Sequence, residues 1–243
     1  MPQEVRFRNL SPLDHRYYLA NRELFERLAD YLSEEAVVTE CVRVEAILLK
    51  HLIGHVMTED ADSESYLRAA AELPSRVQPS EVYAEEETTQ HNIRAIVNVI
   101  QRHLPERIRH LVHLGATSVD ILDTAAALRY RGAVRDVILP LLLRVQEKLI
   151  EFTATEAETA AIGRTHGQYA VPITVGFAFA EYASRLGCSI EEIERRSGDL
   201  RGKFAGAVGA YNAVSVFHPD PEAFERKILD DLGLNPGEHA TQI

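Results

Sequence analysis

Two long stretches with helical periodicity constrain this chain more than any other feature of its sequence. They cover residues 118–153 and 172–201, and each is longer than a typical helix of a globular protein. Helices of this length usually pack side by side, because each neighbour then covers one apolar stripe. Pro140, inside the first stretch, is expected to bend it or to remove one hydrogen bond rather than to end it. The two stretches therefore predict a helical bundle.

The rest of the chain also has a helical pattern. Shorter helices are predicted at 21–32, 40–57, 63–72, 86–103 and 221–232. Prolines, Pro74 among them, suggest turns between these helices, and no alternating strand pattern or Asn-Gly hairpin is evident. The expected fold class is all-α, with an N-terminal helical domain over 1–110 and an incomplete long-helix bundle domain over 111–243.

Composition argues against several classes of function. The net charge of −11 argues against non-specific binding to nucleic acid, which needs basic surfaces. There is no apolar run of about 18 residues, so no membrane span is expected. The two cysteines, Cys41 and Cys188, are far apart and have no metal-binding spacing, which fits free thiols in a reducing cytoplasm. We therefore expect a cytoplasmic protein without nucleic-acid or membrane partners.

A glycine-flanked loop between the two long stretches contains His166, in the sequence GRTHGQ. Histidine is well suited to proton transfer near neutral pH, and its small neighbours let a ligand approach the backbone. The same residues also fit a capping loop whose histidine binds a carbonyl group. Residue types alone leave both interpretations open.

Hydroxyl groups mark the start of the first long helix. Thr117 and Ser118 precede Asp120, where the backbone N–H groups of a helix have no partners within the helix. Such a start can bind a carboxylate or phosphate. Helix capping by either hydroxyl explains the pattern equally simply.

Two polar segments lie nearer the N-terminus. His91 and Asn92, in EETTQHN, could bind a carboxylate or the edge of a base, although a single surface histidine on a helix usually has no function. Arg16 and Tyr17 suit contacts to a phosphate and a ring, or equally the edge of an interface.

Motifs for metals and organic cofactors are missing from the sequence. His51 and His55 are four residues apart but lack the glutamate of a metalloprotease helix. His110 and His113 lack a third ligand nearby. Phosphate-binding glycine loops and the GxSxG motif of serine hydrolases are also absent. Neither a metal nor a cofactor is predicted.

Taken together, in this order and spacing, the polar segments resemble those of the adenylosuccinate lyase family, within the fumarase/aspartase superfamily. The matching segments are SPLDHRYY (11–18), TTQHN (88–92), ATSVDILDT (116–124), GRTHGQYAVPITVG (163–176), GKFAGAVGAYNA (202–213) and the closing TQI. The similarity extends along essentially the whole chain, and the GKFAGAVG segment is typical of the bacterial branch. The resemblance implies an all-helical protein whose five-helix central bundles assemble into a homotetramer, with active sites built from three chains.

The resemblance also implies an activity. Enzymes of this family eliminate fumarate from adenylosuccinate to give AMP, and from the succinyl-aminoimidazole carboxamide ribotide of purine biosynthesis, without a cofactor. His166 matches the general acid that protonates the leaving nitrogen. Thr117 and Ser118 match residues that hold the succinyl carboxylates. All matched substrate-binding positions are Arg16, Tyr17, Gln90, His91, Asn92, Thr117, Ser118 and Gln242.

Two departures from the family pattern are expected to matter. Asn92 stands where the family usually has aspartate. The loop that carries the catalytic base, a serine, is expected beyond Ile243, so the 243-residue chain alone is expected to be inactive. Two alternatives remain: an enzyme similar to the carboxymuconate cycloisomerases, which share the TSxD and RTH elements, and a non-catalytic helical scaffold.

Overall fold

The structure, a computed structural model, describes residues 16–242, and helices dominate it. This confirms the all-α fold class. The α-helices, numbered α1 to α10 in chain order, are Arg16–Ala20, Arg22–Leu32, Glu34–Val56, Ser63–Arg76, Pro79–Thr89, Asn92–Arg102, Ser118–Ala133, Leu139–Thr155, Val175–Gly198 and Pro221–Leu232. Two 3-10 turns are Glu106–Leu111 and Val214–Val216. None of the helices in the described part of the chain is long and apolar enough to cross a membrane.

Extended structure is confined to short pieces. The strands are β1 (Ala160–Thr165), β2 (Gln168–Thr174), β3 (Arg201–Gly202) and β4 (Asn235–Pro236). β1 and β2 form an antiparallel hairpin, and β3 and β4 a short parallel pair. The hairpin was not predicted from the sequence, because its turn is His166–Gly167 rather than Asn-Gly. Both residues have positive φ, 52° and 73°, as a type I′ turn requires.

The described chain divides into two compact units. The first contains the residues up to Tyr130 together with those from Leu200 onward, and the second is Arg131–Asp199. The domain boundary expected between 110 and 111 lies inside the first unit.

The core of the first unit surrounds α3. This helix is buried on most of its circumference, and α2, α4, α5, α6 and α10 all contact it. A helix that is apolar nearly all round belongs in the centre of a unit. It begins six residues earlier than predicted because the Ser33 hydroxyl accepts a hydrogen bond from the Ala36 N–H (3.1 Å) and caps it.

The second unit consists of α8, the β1–β2 hairpin and α9, with the two helices antiparallel. Only a narrow stripe of α9 is buried. The buried residues of this helix recur at every seventh position: Gly176, Ala183, Ile190 and Ser197. Many large apolar side chains of the two helices are instead exposed: Leu143, Val145, Ile150, Phe152, Phe177 and Tyr182. Within this unit the helices cover only part of each other's apolar surface.

The prolines interrupt the helices less than expected. Pro74 lies inside α4 and removes one hydrogen bond of its ladder, but only two residues follow it before the helix ends at Arg76. Around Pro140 the helical path is continuous from α7 to α8 through a π-turn, Val134–Ile138. Such wider turns accommodate a local break in the hydrogen-bond ladder. The prediction of one long helical segment with a local distortion is therefore confirmed.

Candidate functional site

A cleft of about 700 Å³ opens in the first unit between the start of α6 and the segment that leads into α7. Two of the predicted substrate-binding residues, His91 and Ser118, are on its wall. The full lining is Thr89, His91, Ile93, Arg94, Val97, Gln101, His110, Val112, His113, Leu114, Gly115 and Ser118. The cleft thus brings together polar segments that lie apart in the sequence.

His91 caps α6 rather than lying within a helix. The predicted helix over 86–103 is split, because Gln90 has a left-handed φ of 52° and ends α5. Nδ1 of His91 then accepts a hydrogen bond from the Arg94 N–H (3.2 Å). An acceptor Nδ1 leaves Nε2 to carry the ring proton, so the neutral imidazole can act as a donor at that atom.

The two neighbours of His91 have local hydrogen bonds. The Gln90 side chain donates from Nε2 to the Glu87 carbonyl (2.8 Å), and Oδ1 of Asn92 accepts from the Ile93 N–H (2.7 Å). Neither Gln90 nor Asn92 lines the cleft. The structure thus brings His91 of this segment to the cleft wall, but not its two predicted partners.

His113 also lines the cleft, although its sequence context suggested only a possible metal ligand. Its Nδ1 lies 2.6 Å from Oε1 of Glu45, a carboxylate that is only 1% exposed. Oε2 of Glu45 is buried without a hydrogen-bond partner among residues 16–242. The signal in the sequence was Glu45 itself, a charge within the apolar helical run VRVEAILL.

Glu45 raises the pKa of His113. Burial by itself lowers the pKa of His113, but the hydrogen bond to Glu45 and the negative charges of Glu45 and Asp120 outweigh it. The pKa is therefore raised above its ordinary value of 6.5. His113 also has a φ of 63°, a left-handed conformation that favours glycine, so its placement carries backbone strain. The protonated form of His113 is therefore favoured at the cleft wall.

The raised pKa leads to a test by NMR titration. We expect His113 to titrate above 6.5 and its pKa to fall in Glu45→Gln, while Glu35→Gln, an exposed carboxylate on the same helix, leaves it unchanged. Because the folded-state pKa is raised, the pair stabilises the fold fully below the unfolded pKa of about 6.5. This stabilisation is lost as the pH rises through the folded-state pKa. An identical His113 titration in Glu45→Gln would contradict the assignment.

The start of α7 is capped by Asp120 rather than by a hydroxyl. Oδ2 of Asp120 accepts from the Thr117 N–H (2.9 Å), and the Asp120 N–H donates to the Thr117 carbonyl (3.0 Å). The hydroxyls of Thr117 and Ser118 have no hydrogen bond to other residues between 16 and 242. Capping by either hydroxyl, the simple alternative, is not what the structure has. The cap of α7 therefore uses the Asp120 carboxylate and neither hydroxyl.

Gln242 reaches the same helix start through its backbone. Its carbonyl accepts from Nζ of Lys203 (2.7 Å), and Nζ also donates to Oδ1 of Asp120 (2.6 Å). The Gln242 side chain is exposed. Lys203 therefore connects Gln242, through Asp120, to the turn with Thr117.

His166 lies in the second unit, at the tip of the β1–β2 hairpin. The type I′ turn makes His166 and Gly167 the two residues of the loop, and both side-chain positions are exposed. The turn holds the backbone of His166 in a conformation that few non-glycine residues adopt. Its imidazole is thus presented outward from a short, hydrogen-bonded support.

Arg16 and Tyr17 begin α1, and both are exposed. Neither lines the cleft. Residues 11–15 of the matched SPLDHRYY segment, and Ile243 of TQI, lie outside the described residues.

Comparison with known proteins gives a family. A profile of the family described as lyase matches residues 15–241. Among curated relatives, the adenylosuccinate lyase of Archaeoglobus fulgidus is 33% identical over 236 residues, covering 96% of this chain and 49% of the relative. That of Escherichia coli K12 is 27% identical over 246 residues, covering 96% and 53%. The chain spans about half the length of the curated relatives it matches.

Solved structures share the fold. The fumarate lyase from Mesorhizobium sp. BNC1 superposes with a TM-score of 0.76 at 22% identity, covering 88% of this chain and 49% of that one. The β-carboxy-cis,cis-muconate cycloisomerase from Acinetobacter calcoaceticus sp. ADP1 gives 0.72 at 22% identity, covering 91% and 51%. At this identity the likeness concerns the fold alone.

Proposed function

The chain belongs to the lyase family of the fumarase/aspartase superfamily, and from this we propose that it forms part of an enzyme that eliminates fumarate from adenylosuccinate. The other product is AMP. We propose the same reaction on the succinyl-aminoimidazole carboxamide ribotide, a second purine precursor. Curated relatives named adenylosuccinate lyase, at 33% and 32% identity, support this substrate class.

The observation that carries the proposal is the cleft that has both His91 and Ser118 on its wall. The same cleft is lined by the cationic side chain of Arg94 and by His113, whose pKa Glu45 raises. Adenylosuccinate has one phosphate and two carboxylates, so its binding needs converging positive charges and hydrogen-bond donors. An acidic chain can provide these locally despite its net charge of −11.

The residue types fit the chemistry of elimination. A base removes a proton from the carbon next to a succinyl carboxylate, which leaves two negative charges on that carboxylate. We propose that the hydroxyls of Thr117 and Ser118 donate to it, at a helix start whose dipole favours negative charge. The C–N bond then breaks, its electron pair passes to nitrogen, and His166 protonates that nitrogen as general acid. Arg16, Tyr17, Gln90, His91, Asn92 and Gln242 are proposed as further substrate contacts.

Fumarate release from adenylosuccinate by the natural protein at its full length tests the proposal. We expect His166→Ala to lower kcat by about 10²-fold or more, since it removes the proton donor for the leaving group. The matched control, His103→Ala, replaces a histidine that hydrogen-bonds Glu81 outside the cleft, and should change kcat less than about twofold. No fumarate from the unmodified protein, or equal activity in His166→Ala, would rule out the proposal or this role for His166.

We further propose that the protein is a homotetramer. The support is the set of exposed apolar side chains on α8 and α9, since monomers rarely leave so many apolar side chains on two neighbouring helices uncovered. Light scattering should show self-association that survives dilution.

A matched pair of variants tests this face. Leu143 and Ile150 are exposed positions seven residues apart, hence on one side of α8. Leu143→Glu with Ile150→Glu should yield a smaller species, whereas Thr39→Glu with Ser65→Glu, exposed polar positions of the first unit, should not. A dilution-resistant monomer before any substitution would refute the proposed assembly.

A further inference from the structure

Lys203 is a buried lysine whose ammonium group has three acceptors. Its Nζ donates to Oδ1 of Asp120 (2.6 Å), to the Gln242 carbonyl (2.7 Å) and to the Gly206 carbonyl (3.3 Å). The residue is 5% exposed and Asp120 is fully buried. An ammonium group has three hydrogens to donate, so no donor remains for a substrate. Any role of Lys203 in the site therefore acts through the groups it holds.

Asp120 transmits this contact to the start of α7. Its Oδ2 accepts from the Thr117 N–H (2.9 Å) and from the Gly206 N–H (3.2 Å). The Lys203 backbone is fixed to the same helix one turn later, since its N–H donates to the Thr124 hydroxyl (3.1 Å), which donates to its carbonyl (3.2 Å). Lys203 therefore joins the glycine-rich segment (202–213) to α7 in two places: its side chain binds Asp120, and its backbone binds Thr124.

The glycine-rich segment, residues 202–213, also contacts the end of the described chain. At Gly209, which has a φ of 74°, an added Cβ would lie 2.0 Å from the Ala240 carbonyl oxygen and 2.8 Å from that of Thr241. Only glycine permits so close an approach of the two backbones. Ala240 and Thr241 therefore lie directly on this segment, next to the carbonyl of Gln242 that Lys203 binds.

We propose that Lys203 is a positioning residue that holds the Thr117–Ser118 turn and the Thr241–Gln242 segment side by side. The inference rests on the proposed function, in which Thr117, Ser118 and Gln242 contact substrate. Lys203 brings no charge to the ligand, because Asp120 neutralises it. It fixes the distance between two groups of ligand contacts that are more than a hundred residues apart in the sequence.

The first experiment asks whether Lys203 acts locally. In Lys203→Met, NMR order parameters of the Thr241 and Gln242 amides should fall from about 0.85 to below about 0.6, and hydrogen exchange at Thr117 should accelerate. Amides of the α3 core, such as Leu48, should keep their wild-type order parameters. The matched control is Lys50→Met, which removes an exposed ammonium that also pairs with an aspartate, Asp231 at 2.6 Å.

Lys203→Met leaves Asp120 buried without a counter-charge, so a second variant protects the test against loss of folding. Lys203→Met with Asp120→Asn removes both charges and should fold, with Thr241 and Gln242 still mobile. Unchanged order parameters at these two residues in both variants would overturn the proposal. A uniform loss of protection that includes α3 would also overturn it, because Lys203 would then be a general stabiliser.

The second experiment connects positioning to the site. In the natural protein at its full length, with His166→Ala to prevent turnover, Lys203→Met should raise the Kd for adenylosuccinate by about tenfold or more, and Lys50→Met should not. If the Thr241–Gln242 segment becomes mobile and the Kd stays the same, Lys203 does not position ligand contacts and the proposal fails. If the His166→Ala protein itself does not bind adenylosuccinate, the proposed function fails, while the order parameters still decide the structural role of Lys203.

Discussion

Replacing Asp120 with alanine is expected to lower the free energy of unfolding by about 3–5 kcal/mol. The substitution leaves the Lys203 ammonium group buried without its counter-charge, and breaking such a pair from one side costs far more than the pair contributes. The N–H groups of Thr117 and Gly206 lose their acceptor at the same time. Urea unfolding followed by circular dichroism would measure the loss.

Asp123→Ala is the matched control. Asp123 lies on the same helix, three residues later, but is exposed, so its replacement should change stability by less than about 0.5 kcal/mol. A loss below about 1 kcal/mol for Asp120→Ala would mean that water reaches Lys203 and that the pair is not closed as described.

Two inactive variants, His91→Ala and His166→Ala, are expected to recover about a quarter of full activity when mixed and reassembled. The prediction applies to the natural protein at its full length. The family resemblance implies active sites built from three chains, and we propose that His91 and His166 come to one site from different chains. In a random one-to-one mixture, each of the two positions comes from the right variant half the time. About one site in four then contains both histidines.

The outcome depends on real exchange of subunits, so mass spectrometry must confirm hybrid assemblies. Each variant taken through the same reassembly alone is the control and should stay inactive. If hybrids form and no activity returns, His91 and His166 serve one site from the same chain, and the proposed division between chains is wrong.

Helices were predictable from the sequence wherever an apolar stripe repeated, because periodicity is a local property. The predicted helix over 221–232 matches α10, and the long segment from 118 continues into α8. The break at Gln90 was missed because no glycine or proline marks it. Other residue types also adopt a left-handed turn or cap a helix, so Gln90 and His91 did not identify the break by their type.

The candidate site was predictable as a set of segments but not as a geometry. TTQHN and ATSVD identified His91 and Ser118, yet nothing local indicated that Glu45 would hold His113 in the same cleft. The same applies to Lys203, which meets Asp120 across 83 positions of the sequence. Such pairs depend on tertiary packing. The sequence indicates one member of a pair only when a charged residue lies within an apolar run, as Glu45 does.

The discontinuous first unit has a consequence for the order of folding during synthesis. α10 packs on α3, but Arg131–Asp199 is made between the two parts of the unit. At about 5–20 residues per second, translation of this insert delays completion of the first unit by roughly 3–14 s. Throughout that interval the side of α3 that contacts α10 stays uncovered on the ribosome. Nascent chains paused before Leu200 should therefore be targets for chaperones that bind exposed apolar helices, and release should coincide with the emergence of α10.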